Sequence, residues 1–254
     1  MEYEKKQGGI TLNHFLARAG KASRRGAVDE IKKGFVLVNG TVVRDPGYRV
    51  FPADHVVFMG EQVKRESLRY ILLNKPRDYV TTRSDERGRK KVIDLLGNDF
   101  HARVFPVGRL DRNTEGVLLL TNDGDLAQKL AHPRYEISKL YYVVTRDDVS
   151  PEELETIRRG VIIVQHKRIT VDRIEYAHAR KKNEIMVTLH SGYNRVIRHI
   201  FEKLGHDIRR LVRTGYAHLT CQDLFSGQWR DLTYQEVKEL RAFVAPKITN
   251  NDNK

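Results

Sequence analysis

The stretch that decides the fold is residues 106–125, PVGRLDRNTEGVLLLTNDGD. Asp111 lies in a polar turn between Gly108 and Gly116, and an apolar run at residues 117–120 follows directly. A short apolar run flanked by turn residues is typical of a buried strand, which would fix the turn against a core. The sequence therefore predicts one carboxylate presented on a rigid turn. An aspartate that only caps this turn is the alternative interpretation.

Arginines flank this carboxylate, because Arg109 and Arg112 lie on either side of Asp111. A cation within about 4–6 Å favours the charged form of a carboxylate. An ionised carboxylate that is removed from water can act as a nucleophile or as a base. Asp111 is therefore a candidate catalytic residue. Glu115 lies four residues further on, so a pair of carboxylates like that of a glycosidase is an alternative, although the basic composition does not favour a neutral sugar substrate.

A second polar cluster, residues 190–213, carries six cations against Glu202 and Asp207. The cations are Arg195, Arg198, Lys203, Arg209, Arg210 and Arg213. The apolar spacing predicts a helix over residues 196–204, so Arg195 and Arg198 would share a face at its positive end. An anion is expected there, either an RNA phosphate or a carboxylate such as Asp111. A solvated basic face is the alternative.

Residues after 68 read as short strands separated by helical segments. Strands are predicted at residues 70–73, 117–120, 141–144, 161–164 and 185–189, and helices at residues 126–131, 196–204 and after the capping box of Thr233 and Glu236. Regular alternation of strand and helix is missing from this order, which predicts an α+β fold with a mixed or mainly antiparallel sheet and flanking helices. Tyr141 falls on one strand, where it would be either a core residue or a surface on which a base stacks.

The first part of the chain predicts a small unit of two helices and a hairpin sheet. One helix is expected over residues 11–20, and a second begins after Ser23 and ends at Gly34. Asn39-Gly40 predicts a two-residue hairpin turn, and Val50 with residues 56–58 reads as a further short strand. Arg24 and Arg25 would lie in the first turn of the second helix, which makes an anion site, or else a solvated helix end.

These patterns divide the chain into four parts. Residues 10–58 form the small domain, residues 59–68 (MGEQVKRESL) a linker, residues 69–245 the larger domain and residues 246–254 a polar tail.

Composition limits the partners. The 254 residues include 46 Lys and Arg against 33 Asp and Glu, so the net charge is +13 and polyanions are the expected partners. No apolar run reaches the roughly 20 residues of a spanning helix, and the start of the chain does not resemble a secretory signal, so a soluble, cytoplasmic protein without membrane contact is expected. Cys221 is the single cysteine, and the histidines do not pair at ligand spacing, so no metal site is expected.

Several longer motifs resemble known families. FLARAGKASRR (15–25) and GFVLVNGTVV (34–43) resemble the S4 RNA-binding domain. GRLDRNTEGVLLLTNDGDLAQKLAHP (108–133), KLYYV (139–143) and GYNRVIR (192–198) resemble the RsuA/RluB family of ribosomal RNA pseudouridine synthases, which also carry an S4 domain in front. LNKP (73–76), GRKKVIDLL (88–96) and GQWRDLTYQE (227–236) extend the likeness. Three positions differ from the common pattern: Asp78 replaces a glycine, and Ser191 and Val196 replace the Glu and Gln of E-G-x-N-R-Q.

The resemblance implies an isomerase that converts a uridine of ribosomal RNA to pseudouridine without a cofactor. By likeness, Asp111 is the catalytic aspartate, Tyr141 stacks on the uracil and Arg198 pairs with Asp111. The expected RNA-binding residues are Arg24, Arg25, Arg109, Arg195, Arg209, Arg210 and Arg213.

The expected substrate is a uridine in a loop or weakly paired region, since the base must leave its stack to reach a pocket. Large-subunit (23S) RNA, free or in an assembling ribosomal subunit, is favoured, and the protein is expected to be a monomer. A small-subunit (16S) target and a non-catalytic ribosome-binding or assembly factor are the alternatives.

Overall fold

The computed structural model describes residues 9–64, 66–82, 84–163 and 168–245. The chain divides into two compact units, Met1–Leu68 and Arg69–Lys254. The polar tail predicted at residues 246–254 and the last residue of the strand predicted at 161–164 lie outside the described residues. Helices and a mixed sheet together confirm the predicted α+β class. In the part of the chain that is described, no helix has the length and apolar character needed to cross a membrane.

The first unit packs two helices on small antiparallel sheets. Its elements are β1 (Ile10–Thr11), α1 (Leu12–Arg18), α2 (Arg24–Lys33), β2 (Val36–Val38), β3 (Thr41–Val42), β4 (Arg49–Val50), β5 (Val56–Phe58) and β6 (Glu61–Gln62). Four strands form a sheet in the order β3-β2-β5-β6, and β1 pairs with β4. Both helices bury their apolar residues against this sheet: Leu12, Phe15, Leu16, Ala27 and Ile31.

Local signals explain how α2 and its hairpin begin and end. The side chain of Ser23 accepts a hydrogen bond of 2.9 Å from the Gly26 amide, and Gly34 ends the helix in the left-handed conformation. Asn39 and Gly40 both have positive φ, 51° and 81°, as a type I′ hairpin turn requires. The predicted cap and turn are therefore confirmed.

One strand predicted in the first domain is wrong, and the sheet of the first unit extends beyond residue 58. Val50 pairs with β1 and is separate from β5, so the single strand expected from them is two. The sheet also continues past residue 58, because β6 pairs with β5 and Val63 is buried. Met59 and Gly60 both have positive φ and form a second tight turn, which returns the chain along β5 where a linker was expected.

The second unit contains the large sheet. Its strands are β7 (Tyr70–Lys75), β8 (Phe105–Pro106), β9 (Glu115–Thr121), β10 (Lys139–Thr145), β11 (Val161–Ile162), β12 (Arg168–Ile169), β13 (Arg173–His178), β14 (Lys181–Leu189), β15 (Ile208–Tyr216), β16 (Leu219–Thr220) and β17 (Trp229–Asp231). Its helices are α3 (Gly124–Ala131), α4 (Pro151–Arg159), α5 (Val196–Lys203) and α6 (Tyr234–Phe243), with 3-10 turns at Val92–Leu96 and Pro133–Tyr135.

Two antiparallel halves make up this sheet. The strand order is β13-β14-β10-β15-β9-β7-β17, with β16 beside β15 and β8 beside β9. Among the described strands, the one parallel pairing of this sheet is the short contact between β9 and β15, which matches Glu115 with Val212 and Gly116 with Arg213. This contact joins the half that contains β7 and β9 to the half that contains β10 and β14.

Strand β9 is buried on both faces. Val117 and Leu119 pack with α3 and α6, whereas Leu118 and Leu120 pack on the opposite face with Val92 and other residues near the 3-10 turn at 92–96. A continuous apolar run is the pattern of a strand that is covered on both sides. The turn in front of β9 is therefore anchored by a strand in the centre of the core.

Sequence reasoning missed several elements of this unit, among them α4 and β15. Helix α4 begins with a capping box in which Ser150 and Glu153 exchange hydrogen bonds with each other's backbone amides, and Pro151 occupies the first turn. Strand β15 was interpreted only as part of a basic cluster. Its residues alternate between faces, so Leu211 and Arg213 point into the protein while Arg210 is exposed.

Candidate active site

Asp111 lies on the loop between β8 and β9. The amide of Thr114 donates a hydrogen bond of 3.0 Å to the backbone carbonyl of Asp111, which closes a turn. Gly108 begins the loop with a φ of 69°. The Asp111 side chain is 34% exposed, so its carboxylate can be reached from solvent while its backbone is fixed by the turn.

A buried lysine lies beneath this loop. The ammonium group of Lys75 donates hydrogen bonds to the carbonyls of Pro76 (2.9 Å), Arg112 (3.1 Å) and Thr114 (2.8 Å). Burial lowers the pKa of Lys75 to about 8, and the negative charges of Glu115, Asp111 and Asp78 oppose this effect. Because that pKa is above 7, the ammonium form predominates at neutral pH and links the end of β7 to the turn that follows Asp111.

Gly116 allows the two halves of the sheet to meet beside the loop. A Cβ atom at this position would lie 2.2 Å from the backbone carbonyl oxygen of Arg213, and the φ of Gly116 is 101°. Only glycine fits this close approach without displacing the backbone. The position of Asp111 relative to β15 therefore depends on the absence of a side chain at Gly116.

Two arginines face the Asp111 carboxylate. Arg195 Nη1 and Arg198 Nε each lie 3.9 Å from Asp111 Oδ2, within ion-pair range but longer than a hydrogen bond. Burial lowers the pKa of Arg198, the positive charge of Arg195 lowers it further, and Asp111 acts in the opposite direction. The arrangement places two positive charges on one carboxylate and leaves space between the groups.

The backbone of Arg195 is unusual. It precedes the first residue of α5 with a φ of 52° and a ψ of 27°, the left-handed conformation that side chains other than Gly, Asn and Asp rarely adopt. Such conformations cost about 1–3 kcal/mol and cluster at functional sites. This conformation brings the Arg195 guanidinium to the same carboxylate as Arg198, which lies one helical turn further on.

Tyr141 forms one wall of the site from the other half of the sheet. It lies on β10 opposite Arg213 of β15, directly after an irregularity in the pairing between Leu140 and Tyr141. Bulges of this kind redirect side chains near active sites. The ring is half-buried and lines the same cleft as Asp111.

The cleft around Asp111 has a volume of about 240 Å³. Fourteen residues line it: Gly108, Arg109, Leu110, Asp111, Thr114, Tyr141, Gly192, Tyr193, Asn194, Arg195, Val196, Ile197, Arg198 and Leu211. It therefore contains one carboxylate, three arginines and an aromatic wall. Across the described residues, no three His, Cys, Asp or Glu side chains come together as a metal site would require.

Five of the residues predicted to be catalytic or RNA-binding meet in this cleft: Asp111, Tyr141, Arg109, Arg195 and Arg198. Arg112 does not, although its position next to Asp111 suggested a partner. Its guanidinium lies 2.9 Å from the carboxylate of Asp78, and the Asp78 amide donates to the carbonyl of Arg112. The prediction that Arg112 supports Asp111 is therefore wrong, because the turn directs its side chain to the loop after Pro76. Asp78 has a φ of 68°, a conformation that suits the glycine expected there.

The remaining predicted RNA-binding arginines are distributed differently. Arg24 and Arg25 are exposed in the first turn of α2, in the first unit. Arg209 is exposed, and Arg210 donates two hydrogen bonds, of 3.2 and 3.1 Å, to the carboxylate of Glu115. Arg213, also predicted to bind RNA, is only 3% exposed because its position on the strand points it inward, and its role in RNA binding stays a prediction.

The alternative of a carboxylate pair finds no support in this geometry. Both Glu115 oxygens accept hydrogen bonds from Arg210, and Glu115 is not among the residues that line the Asp111 cleft.

Several contributors to the site were missed in the sequence. Lys75 had a usable signal, since a lysine at the end of the apolar strand YILLN, directly before Pro76, must find buried acceptors. Thr114, whose buried hydroxyl has no partner among the described residues, and Leu211 also line the cleft. Their positions depend on how β9 and β15 pair, which local sequence does not reveal.

Comparisons with known proteins agree on one family. The family described as RNA pseudouridylate synthase matches residues 69–210, and the S4 domain matches residues 7–56. The chain is 42% identical to ribosomal large subunit pseudouridine synthase B of Bacillus subtilis, over 92% of this chain and 96% of that protein. It is 38% identical to an uncharacterized RNA pseudouridine synthase of Aquifex aeolicus, over 94% of this chain and 96% of that protein. A crystal structure of a pseudouridylate synthase has the same fold, with a TM-score of 0.66 at 23% identity, over 91% of this chain and 99% of that one.

Proposed function

The chain belongs to the RNA pseudouridylate synthase family, and we propose that it isomerises a uridine of large-subunit ribosomal RNA to pseudouridine, with Asp111 as the catalytic residue. The observation that carries this proposal is the carboxylate of Asp111, 3.9 Å from both Arg195 and Arg198 in a cleft walled by Tyr141. The relative named as a large-subunit synthase supports the choice of RNA. The S4 match supports RNA as the partner of the first unit.

The reaction needs no net oxidation or reduction. The C1′–N1 bond breaks, the uracil turns, and C5 bonds to C1′; C5 loses its proton and N1 gains one. A carboxylate beside the ribose can start this sequence in two ways, by attacking C1′ or by removing a proton from the sugar. Both require Asp111 to be ionised and adjacent to the ribose.

The other groups of the cleft have defined tasks in this proposal. Arg198 and Arg195 stabilise the negative charge of Asp111 and hold its carboxylate toward the cleft. Tyr141 packs against the uracil after it leaves its stack, which offsets part of the few kcal/mol that flipping costs. Arg109, exposed at the rim of the cleft, contacts RNA phosphate.

Replacement of the Asp111 carboxylate by an amide tests the assignment of Asp111 as the catalytic residue. The substrate is ribosomal RNA from cells that lack the protein, supplied free and as assembling large-subunit particles, and pseudouridine is mapped after incubation. We expect wild-type protein to form pseudouridine at one site and Asp111→Asn to form none, with RNA affinity within about threefold because one side chain of nearly equal size changes.

The matched control is Asp99→Asn, which removes an exposed carboxylate elsewhere in the same unit. It should retain full activity. Appreciable turnover by Asp111→Asn would contradict the role of Asp111. Wild-type protein that binds the RNA but leaves every uridine unchanged would favour the alternative, a non-catalytic assembly factor. Modification of small-subunit RNA alone would contradict the choice of RNA but not of reaction.

A further inference from the structure

A second cleft adjoins the one that contains Asp111. Its volume is about 150 Å³, and it shares Gly108, Arg109, Tyr141 and Tyr193 with the first. Lys139 and Arg213 line this second cleft but not the first. We name it the basic cleft, after these two residues.

Arg213 brings an unmatched positive charge to the basic cleft. The residue is 3% exposed, and its guanidinium donates one hydrogen bond, from Nε to the carbonyl of Val117 at 2.8 Å. Its Nη2 group is buried with no acceptor among the described residues. The guanidinium also stacks on the ring of Tyr216, 4.9 Å from its centre. A buried arginine that uses so few of its five donors has capacity for a ligand.

Lys139 adds a second cation without a carboxylate partner. Its ammonium group donates to the carbonyls of Ile137 (2.9 Å) and His190 (2.7 Å), which uses two of its three N–H bonds. In the described parts of the chain no carboxylate lies within 4 Å of it. Burial lowers the pKa of Lys139 to about 8, and the positive charge of Arg213 adds to this effect. At neutral pH the charged form still predominates.

The carboxylate of Asp172, which acts on Lys139, is already engaged. The negative charge of Asp172 raises the pKa of Lys139, but by less than burial and Arg213 lower it. The Asp172 carboxylate lies 2.7 Å from Nδ1 of His190, a residue that lines the basic cleft. Two desolvated cations side by side repel each other, and this repulsion is relieved when an anion lies between them. The geometry therefore favours a small anion in contact with both Lys139 and Arg213.

We propose that the basic cleft binds a phosphodiester group of the RNA, adjacent to the nucleotide held beside Asp111. The inference rests on the proposed function for the identity of the ligand. Phosphate is the anion that every nucleotide supplies, and arginine donors match its oxygens. Because both clefts share Tyr141, a base against this ring and a phosphate on Lys139 belong to neighbouring parts of one strand. Binding at this site positions the nucleotide and leaves the chemistry to Asp111.

Two dinucleotides that differ only in the charge of their linkage measure the contribution of the phosphate to binding. One is uridylyl-(3′→5′)-uridine, and the other carries a neutral methylphosphonate at the same linkage. Binding to the full chain is followed by NMR through the Arg Nε–H and backbone amide signals. We expect the phosphodiester to bind at least about tenfold more tightly, since hydrogen bonds to charged groups are the stronger ones. Equal affinity of the two dinucleotides in wild-type protein would overturn the proposal without any variant.

Substitutions then locate the contact. Lys139→Met should remove most of the difference between the two dinucleotides, and Lys139→Arg should restore it. Lys238→Met removes one exposed charge on α6 and should leave the difference within about twofold of wild type. Thermal unfolding shows whether Lys139→Met is folded; if it is not, Arg213→Lys, which keeps the charge but loses the forked donors, takes its place. If the cleft variant and Lys238→Met showed the same difference in affinity between the two dinucleotides, the proposal would be contradicted.

Turnover on ribosomal RNA separates this inference from the proposed function. We expect Lys139→Met to raise KM at least about tenfold with kcat nearly unchanged, because the phosphate contact is made equally before and during the reaction. If wild-type protein binds the phosphodiester selectively through Lys139 but forms no pseudouridine, the function fails and the phosphate site stands. If wild type is active and Lys139→Met is equally active and equally selective, the site fails and the function stands.

Discussion

The ammonium group of Lys75 donates a hydrogen bond of 2.8 Å to the backbone carbonyl of Thr114, three residues after Asp111. A second hydrogen bond, to the carbonyl of Arg112, reaches the same turn. The buried end of β7 therefore fixes the position of the Asp111 loop relative to the sheet. Lys75 does not line the cleft, so we expect it to affect Asp111 only through the backbone of the turn.

Replacement of this lysine should therefore reduce turnover more than binding. We predict that Lys75→Met lowers kcat by at least about tenfold, since a displacement near 1 Å at a reacting group costs up to about 10²-fold. RNA affinity should stay within about threefold. Lys129→Met, an exposed lysine of α3, is the control and should match wild type. Steady-state kinetics with an RNA-binding titration would check this, and a change in KM alone would contradict it.

Stability should depend on pH through the same residue. Burial lowers the pKa of Lys75 to about 8 in the folded protein, below its ordinary 10.5. Below pH 8 the lysine is charged in both states, and the folded state carries the cost of burying the charge. Between about pH 8 and 10.5 the folded protein loses this proton first, so the contribution of Lys75 to the free energy of unfolding rises with pH.

Denaturant unfolding of wild type and Lys75→Met on both sides of this window isolates the effect. The free energy of unfolding of wild type minus that of the variant should increase from pH 7 to about pH 9.5. A difference that decreases or stays constant would show that the lysine does not titrate in this range.

The first unit should contribute to RNA binding through charge. Arg24 and Arg25 are exposed in the first turn of α2, where backbone amides already favour an anion. Replacement of both by alanine should weaken RNA binding and reduce the slope of log affinity against log salt, by about 0.7 to 0.9 for each phosphate that the protein no longer binds. Lys32→Ala with Lys33→Ala, at the opposite end of the same helix, is the matched control. An unchanged slope would exclude a phosphate site at Arg24 and Arg25.

Gly116 should not tolerate a side chain. Alanine there would bring its Cβ to 2.2 Å from the Arg213 carbonyl, so we predict a loss of at least about 3 kcal/mol in unfolding free energy. Gly205→Ala is the control, because Gly205 also has a positive φ but no atom lies within 4 Å of its Cβ position. It should cost only about 1–2 kcal/mol. Thermal unfolding of both variants separates the cost of the close contact at Gly116 from the cost of a positive φ, which both positions share.

Local signals were readable in the sequence, and long-range pairing was not. The Asn39-Gly40 turn and the Ser23 cap follow from the residues themselves, because their hydrogen bonds and φ angles involve near neighbours. The partners of Arg112 and Arg213 depend on how distant strands meet. Arg112 was expected beside Asp111 and instead pairs with Asp78, while Arg213 was expected to bind RNA as part of a basic cluster and lies buried.

The cleft itself was partly predictable. Resemblance to a family selected Asp111, Tyr141 and Arg198 together, and the structure brings all three into one cleft. Lys139 was not predicted, because a lysine in a strand shows its importance only when its acceptors are known. Lys75 was also missed, although its place at the end of a buried strand, directly before Pro76, offered a signal. Both lysines donate hydrogen bonds to backbone carbonyls of distant residues, and local sequence does not show which carbonyls these are.

The short parallel contact of β9 with β15 has a consequence for how the chain acquires activity. Asp111 precedes β9, whereas Tyr141 lies on β10 and Arg198 on the helix before β15, so the acid and its companions are carried on opposite sides of one seam. Residues far apart in the chain must find each other at that seam, and such distant pairing is slow because it requires closure of a long loop. A chain in which only one half had folded would lack part of the cleft, so we expect activity only after the two halves have paired.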